Sequence, residues 1–136
     1  FFKSVKLHIK KAEIFYSLPN VFTDIHTDGD PLSMAKINYV WCEGEHTMNW
    51  YKPLMEKPTK LTAIGTPYKG YKLDEVKLLH QQTVQFPSLV DSGYAHNITN
   101  GSKTRTCLSL SMQLADNLEA LATYEEAYDR LRDYIL

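Results

Sequence analysis

His26 and Asp28 stand one residue apart in "FTDIHTDGDPLSMAKINYVW", residues 22–41. In an extended chain, residues i and i+2 project to the same side, so one strand end can aim an imidazole and a carboxylate at a single point. Taken alone, the pair also suits a solvated polar turn. It becomes chemistry only if a third donor arrives from elsewhere. His96 is the best candidate, because it follows a short extended stretch and precedes the Asn100-Gly101 turn. Two imidazoles and one carboxylate on one face of a metal, with the other face open, is a donor set suited to reactive Fe(II).

Arg105 lies nine residues beyond His96, at the start of an alternating strand expected over Lys103 to Met112. On that strand Arg105, Cys107, Ser109 and Ser111 share one face, and Thr106, Leu108, Leu110 and Met112 share the other. A guanidinium turned into a β-rich interior is costly unless it is paired. A dicarboxylate held in a bidentate contact would pair it.

The elements that must position these groups are mostly strands. Residues 4–16 alternate, with a change of phase near Lys10-Lys11, and read as one bent strand or two short ones. Residues 21–26 form a short extended segment, followed by the turn signal Thr27-Asp28-Gly29-Asp30-Pro31. Residues 35–42 are a near-continuous apolar strand, and 47–51 is expected to return beside it as a hairpin. Residues 52–73 hold three prolines and two glycines and read as loop with one short strand, "KLTAIG"; this region is a reasonable lid. Residues 75–86 fit strand or helix, with Thr83, Val84 and Phe86 favouring strand. Thr123-Tyr124-Glu125-Glu126 is a capping box, and the apolar spacing after it predicts a helix over 124–135. Many short strands and one terminal helix indicate an all-β sandwich or barrel with a helix packed outside.

Bulk properties narrow the partners. The chain has 136 residues, 43% hydrophobic and 12% aromatic, enough for one domain with a real core. The net charge of −1, from 15 basic and 16 acidic residues, gives no electrostatic case for nucleic acid or an anionic membrane. No apolar run reaches the length of a spanning helix. The start "FFKSVKLHIKKAEIF" has no h-region, and without an initiator Met the chain reads as trimmed from a longer one. Cys42 and Cys107 are read as free thiols in a reducing, cytoplasmic setting. The sequons at Asn97 and Asn100 are read as accidental. His8, His46 and His80 are expected at the surface, and Trp41, Trp50 and Tyr51 in packing.

The ordered set His26-x-Asp28, His96, Arg105 resembles the Fe(II)- and 2-oxoglutarate-dependent oxygenases. The flanking text is similar as well: "DIHTDGDPLSMAKINYVW", "GEHTMNWYKP" and "FPSLVDSGYAHNITNGSKTRTCLSLSM", so that the resemblance spans roughly residues 20–112. It implies a double-stranded β-helix, a jelly-roll or cupin-like barrel of eight strands. It implies His26, Asp28 and His96 as ligands of Fe(II), and Arg105 as the partner of the distal carboxylate of 2-oxoglutarate. Ser109 shares the arginine's face and would assist; many members place a helper hydroxyl two residues after the arginine, where this chain has Cys107. Asn38 or Tyr39 would also touch the co-substrate. The implied activity is a hydroxylase that consumes O₂ and converts 2-oxoglutarate to succinate and CO₂. Small members act on peptidyl side chains such as proline, so the expected substrate is a peptide or a small molecule. Two alternatives remain: a cupin-type barrel that binds Zn²⁺ or a small ligand without a co-acid site, and an interaction domain with a vestigial site.

Overall fold

The computed structural model describes residues 1–28, 34–63, 65 and 67–135. Among the described residues, alternation in the sequence becomes ten strands: β1 Leu7–Ser17, β2 Ile25–Asp28, β3 Ala35–Trp41, β4 His46–Pro53, β5 Lys60–Leu61, β6 Pro67–Tyr71, β7 Val76–Gln82, β8 Ser88–Asp91, β9 Ala95–Asn100 and β10 Arg105–Leu114. They form two antiparallel sheets, with order β1-β10-β3-β8 in one and β5-β6-β2-β9-β4-β7 in the other. From β1 to β4, and again from β7 to β10, each successive strand lies in the opposite sheet. That strand order is a double-stranded β-helix, with β5 and β6 added at one edge.

The phase change near Lys10-Lys11 is a β-bulge in β1, where the register against β10 slips between Ile9 and Lys11. The extra residue lets one long strand keep its pairing along the whole of β10. The capping box forms as read: Thr123 accepts from the Glu126 backbone N–H, and the Glu126 side chain reaches back to the Thr123 N–H. The helix α1, Tyr124–Leu131, then gives way to a 3₁₀ turn over Arg132–Tyr134, so the expected helical segment is the right one with a tightened end.

The hairpin expected between residues 35–42 and 47–51 does not form. β3 pairs with β10 and β8, whereas β4 pairs with β9 and β7 in the opposite sheet. The turn after β3 carries the chain across the sandwich instead of back along one sheet. Apolar periodicity is the same for both routes, because it reports burial and not the partner. β3 reads as continuously apolar because both of its faces are covered. Ala35 and Ile37 pack with Leu7, Leu110, Met112, Ala127 and Leu131 under α1. Val40, on the other face, joins Met48, Val84, Val90 and Cys107 between the sheets.

Residues 52–73 are less loop-like than expected. β6 pairs with the whole of β2, placing Gly70 opposite His26 and Tyr68 opposite Asp28. The region thus lengthens the sheet beside the His-x-Asp strand. Of the strand expected over 60–65, Lys60 and Leu61 are extended, while Ile64 lies outside the described residues. Of the turn expected over residues 27–31, Thr27 and Asp28 are instead the end of β2, and residues 29–31 lie outside the described residues. Of residues 75–86, Val76–Gln82 form strand, whereas Glu75 closes a 3₁₀ turn and Thr83, Val84 and Phe86, which favoured strand, lie beyond its end. Gly101, in the β9–β10 turn, is needed for close approach: a Cβ there would sit 2.6 Å from the Glu45 carbonyl oxygen, which accepts the Gly101 N–H at 2.8 Å.

Both cysteines are free. Asn97 is fully buried and Asn100 nearly so, which leaves no room for a glycan on either. Among the described residues no helix is long and apolar enough to cross a membrane.

Candidate metal centre

The two strands that carry the donors are neighbours. β2 and β9 run antiparallel with His26 directly opposite His96, and their rings lie 4.8 Å apart between centroids. Two residues along β2, Asp28 projects to the same side. Its Oδ1 is 3.4 Å from His26 Nε2, and its Oδ2 is 3.9 Å from His96 Nε2. One ligand atom from each of the three residues falls within 4.8 Å of the others, close enough for a single ion. The sheet register, not a loop, brings these donors together, so the spacing is set by backbone hydrogen bonds.

Each imidazole is oriented the same way. His26 Nδ1 lies 2.8 Å from the Asp24 carbonyl oxygen, and His96 Nδ1 lies 2.8 Å from the Tyr94 carbonyl oxygen. A ring that donates Nδ1–H to a carbonyl keeps its lone pair on Nε2, and in both residues Nε2 faces Asp28. This is the tautomer a metal ligand requires.

The electrostatics separate the two rings. Burial drives the His96 imidazole down to about 4, against the pull of Asp28, so it is neutral at pH 7. Burial works on His26 in the same direction, but its hydrogen bonds to Asp28 and to the Asp24 carbonyl outweigh it and leave the group raised. Burial would lift the Asp28 carboxyl; the His26 hydrogen bond and the charges of Lys36 and His96 overcome it and hold Asp28 well below the usual carboxylate range. Asp28 is thus ionised and His96 neutral, while His26, raised by Asp28, would release its Nε2 proton to an incoming ion; the three together fit Fe(II).

The opposite sheet supplies the rest of the cavity, about 300 Å³ in volume, into which Arg105, Cys107 and Ser109 project from β10 and Lys36 and Asn38 from β3. Arg105 is 3% exposed, and among the described residues its Nε has no hydrogen-bond partner. Ser109 Oγ and Asn38 Oδ1 are likewise buried without partners. Three orphaned polar atoms around one cavity are unusual in a folded chain and mark a place shaped for a polar guest. Burial pushes the Cys107 thiol up, against the charge of Arg105 and a hydrogen bond from its guanidinium.

Of the residues singled out in the sequence, His26, Asp28, His96, Arg105, Ser109 and Asn38 all line this cavity. Tyr39 does not. Strand alternation turns it to the far side of β3, where it packs against the cluster under α1 and stacks on Trp41 at 6.5 Å. His46 is not a surface residue: it is 3% exposed, and its Nε2 lies 2.9 Å from the Val84 carbonyl oxygen. Being at the start of β4, it pins the chain beyond β7 to the sandwich. Trp41 is exposed, whereas Trp50 and Tyr51 pack.

Sequence reasoning passed over Lys36. It is 8% exposed, and its Nζ donates to Asp28 Oδ2 at 2.6 Å. The signal was available: a lysine inside an otherwise apolar strand, on the face that also bears Asn38.

No protein-family model matches the chain, and no curated protein does. Among solved structures, the chain is similar to a dTDP-4-dehydrorhamnose 3,5-epimerase from Elizabethkingia anophelis NUHP1, at 16% identity and a TM-score of 0.38. The match covers 85% of this chain and 56% of the epimerase, so the chain spans a little over half the length of that protein. A likeness at this level carries no argument about activity, and the fold assignment stands on the strand order itself.

Proposed function

We propose that the chain is the core of an Fe(II)- and 2-oxoglutarate-dependent oxygenase, a hydroxylase acting on a peptide side chain or small molecule. The observation that carries the reading is the pairing, across one cavity, of a His26/Asp28/His96 donor set with a buried guanidinium that has an unpartnered nitrogen. A structural metal site needs the first and has no use for the second. Fe(II) would be held by His26 Nε2, His96 Nε2 and an oxygen of Asp28. When bound, it supplies the O₂-activating chemistry that couples decarboxylation of 2-oxoglutarate to succinate and CO₂ with hydroxylation of a substrate.

The chain's own residues do the positioning. Arg105 offers a fork of N–H donors to the distal carboxylate of the co-substrate. Ser109 and Asn38, unpartnered in the same cavity, have hydrogen-bonding capacity to spare for the rest of that molecule. The neutral state of His96 leaves its Nε2 free to ligate at pH 7. The apolar lining from Met48, Val90 and Ile98 keeps bulk water from much of the cavity wall, which strengthens the polar contacts made there.

The test is succinate release by the purified protein supplied with Fe(II), 2-oxoglutarate and O₂. Asp28→Ala is expected to abolish it. Wild-type turnover of 2-oxoglutarate by Asp28→Ala would overturn the assignment of that ligand. The alternative, a cupin-type barrel holding Zn²⁺ or a small ligand, rests on the same fold and the same three donors. Arg105→Ala separates the two, because only in an oxygenase is 2-oxoglutarate affinity lost while metal binding persists.

A further inference from the structure

The oxygenase reading leaves one charged side chain of the cavity without a task. Lys36 projects from β3 beside Asn38, and its ammonium is stripped of most of its water. A buried ammonium is expensive, and a lysine here is stabilised only through a partner. The neighbours Ile37 and Val40 show that this strand accommodates plain hydrocarbon. The partner of Lys36 is one specific atom, Oδ2 of Asp28, at 2.6 Å. The other oxygen, Oδ1, is the one nearer to His26 Nε2, at 3.4 Å. Oδ2 in turn lies 3.9 Å from His96 Nε2. Without Lys36 both oxygens would face the space between the two imidazoles, and a carboxylate there can grip a cation with one oxygen or with two.

We propose that Lys36 is a positioning residue that occupies Oδ2 of Asp28 and restricts this carboxylate to ligation through Oδ1 alone, so that one more position on the metal stays open to exogenous ligands. The proposal rests on the reading of His26, Asp28 and His96 as a metal centre. A charge-assisted contact of this length is strong and directional, and it competes with a second metal–oxygen bond for the same lone pairs. The ammonium also repels a bound divalent ion. Lys36 therefore trades metal affinity for open coordination positions, a trade that suits a site needing room for a chelating co-substrate and a gas. In the absence of metal, the same ammonium compensates the buried Asp28 carboxylate, so the cavity keeps its shape while empty of ion.

Mn(II) is the probe, read by water-proton relaxation per bound ion and by its dissociation constant. Three protein donors leave three water positions on an octahedral ion, and a two-oxygen Asp28 leaves two. Lys36→Met is expected to lower the inner-sphere relaxivity to about two-thirds of wild type. It is also expected to tighten Mn(II) binding at least about tenfold, through loss of the neighbouring charge. Lys36→Arg, which can still hold Oδ2, should keep the wild-type relaxivity. Lys36→Ala gives the same reading as the methionine variant should the latter fail to fold. Unchanged relaxivity per ion in the folded Met or Ala variant overturns the role of Lys36 and leaves the oxygenase reading standing. A wild-type protein that takes up no Mn(II) or Fe(II) overturns both.

Discussion

Arg105→Met should move stability and co-substrate affinity in opposite directions. In the free protein the guanidinium is 3% exposed and its Nε is unsatisfied, a state that costs about 1–3 kcal/mol. Methionine keeps much of the side chain's hydrocarbon and removes the stranded donor, so the variant is expected to be about 1–2 kcal/mol more stable than wild type in urea denaturation followed by far-UV circular dichroism. Loss of a buried, charge-assisted contact to a carboxylate should weaken 2-oxoglutarate by about 3 kcal/mol, a factor of about 150 in Kd. Calorimetric titration of 2-oxoglutarate into Mn(II)-loaded protein measures that factor without catalysis. Metal affinity should be unaffected, because the three donors sit on the other sheet. A variant that is destabilised by 2 kcal/mol or more yet still binds 2-oxoglutarate normally would refute the reasoning, since Arg105 would then be a structural cation.

Three further outcomes are expected. Metal-free protein should lose stability as pH falls from 6.5 to about 4. In that window the unfolded chain protonates His96 while the folded one resists, for a total of about 3 kcal/mol. His26, whose value is raised, has already contributed fully below 6.5, and Asp28 acts only below the ordinary carboxylate range, so His96→Asn should flatten the profile. Thr123→Ala removes a cap that accepts from the Glu126 N–H at 3.2 Å and should cost about 1 kcal/mol, read as a lower urea midpoint with activity intact. Cys107 should resist thiol reagents at pH 8 in the folded state, because burial both shields it and keeps it protonated; equal labelling of Cys107 and the part-exposed Cys42, read by peptide mass, would contradict that.

The His26/Asp28 and Arg105/Ser109 pairs were legible because local rules fix each of them, whereas the arrival of His96 opposite His26 depends on the β2–β9 register. Spacing of two on a strand puts His26 and Asp28 on one side, and alternation along β10 puts Arg105 and Ser109 on one face; neither needs a tertiary contact to be foreseen. What could not be read was the sheet to which a strand belongs. The β3–β4 link looks like a hairpin in any one-dimensional pattern, and only the packing of both β3 faces makes it a crossing. The same limit hid Tyr39, which is one residue from Asn38 and so faces away from the cavity. His46 and Lys36 were missed for a different reason: polar side chains are expected outside, and each is held inside by a partner on another strand or loop, the Val84 carbonyl oxygen and Asp28 Oδ2.

The two sheets divide the labour. His26, Asp28 and His96 all ride on β2 and β9, while Lys36, Asn38, Arg105 and Ser109 all ride on β3 and β10 of the facing sheet. A small slide of one sheet over the other would leave the distances among the three donors intact and change how far the arginine reaches. On the oxygenase reading, substitutions in the apolar seam between them, at Met48 or Val90, would retune which acid fits without disturbing how the ion is held.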